Sequence, residues 1–144
     1  MEWTVKGWSE LSLDEIEKIF MLRSEVFVVE QDCIYQDIDG KDKFAKHVLG
    51  FKKEELVAYS RIFKPGDYFK EASFGRAVVK KSCRGKGIGY ELVKKSLEQI
   101  DDKRIKISAQ SYLTSFYSNH GFISKGDEYL EDGIPHTAMF KRIR

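Results

Sequence analysis

One stretch constrains this chain more than any other: Phe74-Gly75-Arg76-Ala77-Val78-Val79-Lys80-Lys81-Ser82-Cys83-Arg84-Gly85-Lys86-Gly87-Ile88-Gly89. Its apolar opening, Phe74 to Val79, predicts a strand. A basic, glycine-rich turn then leads into a helix from about Gly87 to Ile100. Ile88, Leu92, Val93 and Leu97 give that helix a buried face, and Lys94, Lys95 and Glu98 a wet one. Strand, tight turn and amphipathic helix together call for a sheet covered by helices. The free amides and the dipole at such a helix start attract anions. Glycines at 85, 87 and 89 let the backbone approach an anion that a Cβ would hold off, and Arg84 and Lys86 add charge.

The remaining elements fit around this unit. Trp3–Lys6 reads as a short strand. Ser12 and Glu15 form a capping box, with Leu11 placed to pack on Ile16. Ile16, Ile19, Phe20, Arg23, Val26 and Phe27 continue that helix at its own period. From Glu30 to Lys46 the periodicity lapses into a loop with room for a short helix. His47–Phe51 and Leu56–Phe63 predict a hairpin through Lys52–Glu55, and Pro65-Gly66-Asp67 a turn. Arg104–Gln110 alternates as a half-buried strand, Tyr112–Asn119 reads as a short helix, and Gly121-Phe122 opens a return strand. Pro135–Ile143 closes the sequence as a last strand. The order β-α-β-β-β-α-β-α-β-β predicts an α/β chain of the α+β type, a mixed sheet with helices on its faces.

Composition narrows the partners. The 144 residues are 42% hydrophobic and 33% charged with a net charge of +2, which fits one globular domain over 1–144. That balance argues against bulk binding to nucleic acid or to an anionic membrane. No apolar run is long enough to span a bilayer and no signal-peptide pattern opens the chain, so the expectation is a cytoplasmic protein. Cys33 and Cys83 read as reduced thiols, Cys83 as a small buried one. His47, His120 and His136 lack metal-site spacing, so no metal is expected.

Three nucleotide readings compete for the glycine-rich turn. A Walker A loop needs GxxxxGK[ST], which is absent. A dinucleotide fingerprint needs GxGxxG, but Gly89 stands one place early, and the next strand ends Ser108-Ala109-Gln110 with no acid for a ribose. The pyrophosphate-binding pattern for coenzyme A, [Q/R]xxGx[G/A], is met in full by Arg84, Gly87 and Gly89. A turn that serves geometry alone has the same residues.

One strand later comes Leu113-Thr114-Ser115-Phe116-Tyr117-Ser118-Asn119-His120-Gly121-Phe122. With the turn, this resembles the GNAT superfamily, which pairs [Q/R]xxGx[G/A] with a downstream FYxxxGF. Arg23–Gln31, Tyr35–Asp39, Gly75–Val79 and Glu131–His136 resemble its ElaA-like branch. The resemblance implies a mostly antiparallel sheet whose central strands, Phe74–Val79 and Arg104–Gln110, splay into a V, with helices on both faces. It implies acetyl-CoA as cosubstrate, its pantetheine arm along Ala77, Val78 and Val79. The pyrophosphate would lie on Arg84, Gly85, Lys86, Gly87, Ile88 and Gly89, with Phe116 and Asn119 lining the pantetheine end. The activity implied is N-acetyl transfer to a primary amine. The Val79 region would supply an oxyanion donor and Tyr117 the acid for the departing thiolate.

The base is less determined. Glu30, Glu25, His47 and His136 are all candidates, with Glu30 taken as the base and Tyr35 and His136 as acceptor-side residues. On that assignment Glu30→Gln alters amine turnover and spares cofactor affinity. Arg76 reads as an ion-pair partner of a carboxylate. Asp32, Asp37, Asp39 and Asp42 read as a solvated acidic loop, or as a lure for a cationic amine. The acceptor is a small-molecule or peptide amine, and the protein a monomer or homodimer. A non-catalytic acyl-CoA-binding or sensor module of the same fold is the rival reading.

Overall fold

The computed structural model describes residues 1–142. β1 (Glu2–Gly7), β2 (Lys46–Lys52), β3 (Glu55–Phe63) and β4 (Ser73–Val79) form one antiparallel sheet in that order. β5 (Arg104–Gln110), β6 (Ile123–Ser124), β7 (Tyr129–Glu131) and β8 (Ile134–Arg142) form a second, in which β5, β6 and β7 each pair with β8. The sheets join through a parallel bridge between Ala72 and Ile105, where the Lys106 amide donates to the Ala72 carbonyl at 2.9 Å. Past that point β4 and β5 part. The splayed mixed sheet expected from the sequence is the sheet that forms.

Helices cover both faces. α1 (Leu13–Arg23) starts on the Ser12–Glu15 capping box and continues as a π-helical segment, Ser24–Glu30. There the Gln31 amide donates to the Val26 carbonyl and the Cys33 amide to the Val28 carbonyl, five residues back. Helical winding thus persists to Glu30, and the expected loop begins only there. Ile19, Leu22 and Val26 pack on Leu49, Tyr59 and Val78. On the opposite face α2 (Ile88–Glu98) sets Leu92 and Val93 against Val48, Ala58 and Ile107. β3 is buried along nearly its whole length, as befits a strand covered on both faces.

The second half departs from expectation in detail. The return strand is reduced to Ile123–Ser124, and β7, only three residues long, is too short to show an alternation. Ile143, the expected end of β8, lies outside the described residues. Among those residues no helix is long and apolar enough to cross a membrane.

The acidic stretch is largely not solvated. Asp37 and Asp42 are buried. Arg23, itself fully buried, donates to Asp37 Oδ2 and Asp42 Oδ1, both at 2.8 Å, and to the Asp37 carbonyl at 3.0 Å. Arg61 donates to both Asp39 oxygens, at 2.9 and 2.7 Å, and to Asp42 at 2.9 Å. Arg76 donates to the Asp37 carbonyl, and its Nε lies 2.9 Å from Asp37 Oδ1, an ion pair without hydrogen-bond alignment. Three arginines thus neutralise Asp37, Asp39 and Asp42. Those charges pin the loop to the sheet and are not available to draw in a cation; Asp32 alone of the four stands outside the network, exposed.

Candidate active site

The parting of β4 and β5 opens a cleft of about 490 Å³. Its shape begins with a register shift. Between the pairs Tyr59–Val78 and Arg61–Gly75, the two residues Arg76 and Ala77 face the single residue Ser60. Arg76 adopts φ +48°, and this bulge turns β4 out of line with β5. Beyond it the Lys80 amide donates to the Val57 carbonyl at 2.8 Å. Strand alternation therefore points the Val79 amide and carbonyl the other way, into the V. Arg84 Nε already donates to that carbonyl at 3.0 Å.

The residues of the glycine-rich turn come together at one end of the cleft. Gly85 and Gly87 adopt φ +79° and +80°, and a Cβ on either would meet nothing within 4 Å. Gly87 precedes α2 with no side-chain cap, and the first bond of the helix runs from the Glu91 amide to the Gly87 carbonyl. The Ile88, Gly89 and Tyr90 amides are therefore left for a ligand. This open, uncapped cradle fits a pyrophosphate. Arg84, Gly85, Gly87 and Gly89 line the cleft, as do Ala77, Val78 and Val79. The Lys86 side chain is exposed off its wall, and the Ile88 side chain turns into the core and offers only its amide.

Opposite β4, α3 (Thr114–Ser118) presents Phe116 and Tyr117 to the cleft. Tyr117 is buried against Phe74 and Phe122. Burial, helped by Tyr112, pushes its hydroxyl up to about 12, so it holds its proton at neutral pH. Asn119, expected beside Phe116, is instead exposed at the end of α3 and does not line the cleft. His120 packs behind the wall, 4.4 Å from the Tyr90 ring and 5.3 Å from Phe116, and burial favours its neutral form. Gly121, the glycine of FYxxxGF, has φ +90°, and a Cβ there would lie 2.5 Å from Lys141 Nζ. That amine donates to the His120 carbonyl at 2.7 Å and holds the turn.

The far end of the cleft collects Cys33, Tyr35, Arg76, Ser108, Glu131 and His136. Tyr35 and His136, expected on the acceptor side, both line the cleft. The Tyr35 hydroxyl, however, is committed to Asp37 Oδ1 at 2.6 Å. Burial and that bond raise its pKa well above the usual tyrosine value. Glu30 lines the cleft too, but Arg84 grips its carboxylate with two bonds, at 2.5 and 2.9 Å. The Arg84 bonds hold the Glu30 carboxyl below its ordinary value, which makes it a poor base. Glu25 is exposed away from the cleft. His47 is buried, with Nε2 on the Asp42 carbonyl and Nδ1 on the Tyr59 hydroxyl. Two features escaped the sequence reading. Gln31 and Gln110 exchange amide hydrogen bonds at 3.1 Å, and Ser108 donates to Glu131. Alternation placed Ser108 and Gln110 on the polar face of β5, but nothing local named their partners.

A splayed β4–β5 pair, a glycine cradle at a bare helix start and a tyrosine in the cleft define an acyl-CoA acyltransferase of GNAT type. The description "Acetyltransferase (GNAT) domain" matches residues 10–143. Protein ElaA of Escherichia coli is 42% identical over 99% of this chain and 97% of its own length. The crystal structure of that protein superposes with TM-score 0.91 over 98% of this chain and 99% of the other. An acyl-CoA N-acyltransferase from Pseudomonas aeruginosa, 34% identical, gives TM-score 0.90 over 98% and 99% of the two chains. The protein UPF0039 sll0451 of Synechocystis is 39% identical over 99% of this chain and 96% of its own. The chain belongs to the GNAT acetyltransferase family, on its ElaA-like branch, and is an acyltransferase.

Proposed function

We propose that the protein transfers an acetyl group from acetyl-CoA to a primary amine, by direct attack of the amine on the thioester. The observation that carries this is the convergence, on one cleft, of the open Val79 edge, the uncapped start of α2 and the protonated Tyr117. Backbone groups at Ala77–Val79 would hold the pantetheine arm, and the amides from Arg84 to Gly89 the pyrophosphate. Lys86 contributes charge from the rim and Ile88 its amide, with Phe116 against the pantetheine. The Val79 amide would bind the oxygen that gains charge as the amine adds. Tyr117 would protonate the sulfur as it leaves. A non-catalytic acyl-CoA module would have no use for that donor. The acceptor, a small-molecule or peptide amine, would enter past Tyr35 and His136. The reading is of a cytoplasmic enzyme, a monomer or homodimer, acting on neither nucleic acid nor membrane.

Acetyl-CoA at about 100 times its dissociation constant should add roughly 2.7 kcal/mol to stability. Gly87→Glu should abolish most of that gain, because the carboxylate would occupy and repel the phosphate site. Thermal melts with and without acetyl-CoA measure both. A wild-type protein that melts at one temperature in either condition refutes the assignment.

The Arg84–Glu30 pair alters what Glu30→Gln should do. Arg84 is claimed by Glu30, and a half-exposed pair of this kind is worth about 0.2–1 kcal/mol. Freeing Arg84 for phosphate should tighten acetyl-CoA binding, by up to about fivefold at low salt. The gain should shrink as salt screens the pair. Titration calorimetry of the two proteins tests this, and unchanged or weaker binding by the variant counts against it.

A further inference from the structure

We propose that His136 takes the proton from the acceptor amine, and that Glu131, fixed by Ser108 and Tyr129, is the residue that positions and polarises it. The proposal rests on the acyl-transfer reading above and assigns the group that reading leaves open. An ammonium cannot attack a thioester, so some group in the cleft must accept its proton.

Elimination leaves few groups. Glu30 is held ionised by Arg84, Glu25 stands outside the cleft, and both nitrogens of His47 are engaged in the core. His136 differs from all three. Its ring lines the cleft, and its Nδ1 lies 2.7 Å from the Ile134 carbonyl. A carbonyl oxygen only accepts, so Nδ1 carries the hydrogen of the neutral ring. Nε2 is then left with its lone pair, the arrangement a base requires.

Glu131 Oε2 lies 3.5 Å from that Nε2. Its other oxygen, Oε1, accepts from the Ser108 hydroxyl at 3.1 Å, and Ser108 in turn accepts from the Tyr129 hydroxyl. Tyr129 also stacks on the His136 ring, its cross-strand neighbour. The carboxylate is therefore held by its own partners beside the imidazole, with Tyr129 stacked over the ring. Other titratable or charged groups of this part of the cleft are Cys33, Tyr35 and Arg76 across it, Tyr112 on the segment packed against β8, and Asp132 in the turn. Arg76 and Tyr35 are already paired with Asp37, and Cys33 Sγ donates to the Asp132 carbonyl at 3.2 Å. Glu131 is the carboxylate set beside His136 Nε2.

The protons balance. An N–H bond of the ammonium breaks as Nε2–H forms, and the imidazolium is bracketed by the Ile134 carbonyl and the Glu131 carboxylate. The neutral amine forms the C–N bond as the C–S bond breaks, and the sulfur receives the Tyr117 proton. The phenolate recovers a proton from the nitrogen that has become the amide, and His136 releases the first one to water. One ammonium and one thioester give one amide, one thiol and one proton.

The test uses wild type, His136→Gln and Glu131→Gln with acetyl-CoA and n-butylamine, reading thiol release from pH 6 to 10. In His136→Gln, kcat/KM at pH 7 should fall by about 10²–10³-fold. The lost rate should return only as the amine itself deprotonates near pH 10. In Glu131→Gln, kcat/KM for the amine at pH 7 should fall by about tenfold while acetyl-CoA affinity holds, since the ring loses the partner that orients it. Residues serving packing alone would leave the pH profile unchanged in His136→Gln and the amine kcat/KM unchanged in Glu131→Gln. Nitrogen NMR of histidine-labelled protein needs no acceptor, and should show the neutral His136 ring protonated at Nδ1. A ring protonated at Nε2, or a His136→Gln profile that overlays wild type, overturns the proposal. Thermal stabilisation by acetyl-CoA should survive in both variants. Its absence from wild type would instead overturn the acyl-transfer reading, and this assignment with it.

Discussion

Replacing Tyr117 by phenylalanine should lower the turnover number by about 10²–10⁴-fold, the range for loss of a positioned acid. Phenylalanine keeps the ring among Phe74, Phe116 and Phe122, so the fold and the cleft wall should persist. Only the hydroxyl is lost. Burial keeps that hydroxyl protonated through neutral pH, so wild type carries the donor in every molecule. Acetyl-CoA affinity should stay within about twofold, because the proton matters when charge builds on sulfur and not before. Thiol release with a responsive amine gives the turnover number, and calorimetry the affinity. Turnover within about twofold of wild type, with chemistry rate-limiting, would reduce Tyr117 to a packing residue.

Arg23→Ala should cost about 3–5 kcal/mol of folding stability, the usual loss when one member of a buried ion network is removed. Arg23 is fully buried and carries bonds to both Asp37 and Asp42, so its loss leaves Asp37 Oδ2 without a donor and Asp42 with Arg61 alone, in a site shut off from water. Urea denaturation at neutral pH measures this, and a loss under about 1 kcal/mol would mean that water reaches the site. The same network predicts an acid dependence. Burial raises the Asp39 carboxyl, but the bonds from Arg61 and the Lys41 amide outweigh that and hold it well below the usual carboxylate range. A depressed folded-state value contributes stability that is complete above the unfolded value of about 3.9 and is lost as pH falls below it. The Asp39 contribution should therefore be complete down to about pH 4 and fade beneath it, after the loss that buried, neutral His47 and His120 bring as pH falls below about 6.5.

The local motifs were legible because each is written in neighbouring residues. Ser12 and Glu15 cap α1 three residues apart, and Gly85 and Gly87 take the positive φ that their turn demands. The pairing of Arg84-x-x-Gly87-x-Gly89 with Phe116-Tyr117-x-x-x-Gly121-Phe122 was enough to name the family, and the splayed sheet followed from the family. Harder to read were contacts between distant segments. Asp37 and Asp42 looked like solvated charge because Arg23, Arg61 and Arg76 lie 14 to 39 residues away.

The chain by itself determined the order of elements apart from β7, and its two motifs, through the family resemblance, pointed to the glycine-rich loop and to Tyr117, since each motif is written at short range. Tertiary structure alone decided which charges are free. Glu30 is spent on Arg84, 54 residues on, and His47 on Tyr59 and a backbone carbonyl. Glu131 reaches His136 only because β7 and β8 pair and Ser108 of β5 turns its carboxylate. A carboxylate or an imidazole becomes a base, a strut or a bystander according to what folding sets within about 4 Å of it, and linear spacing alone does not fix that neighbour.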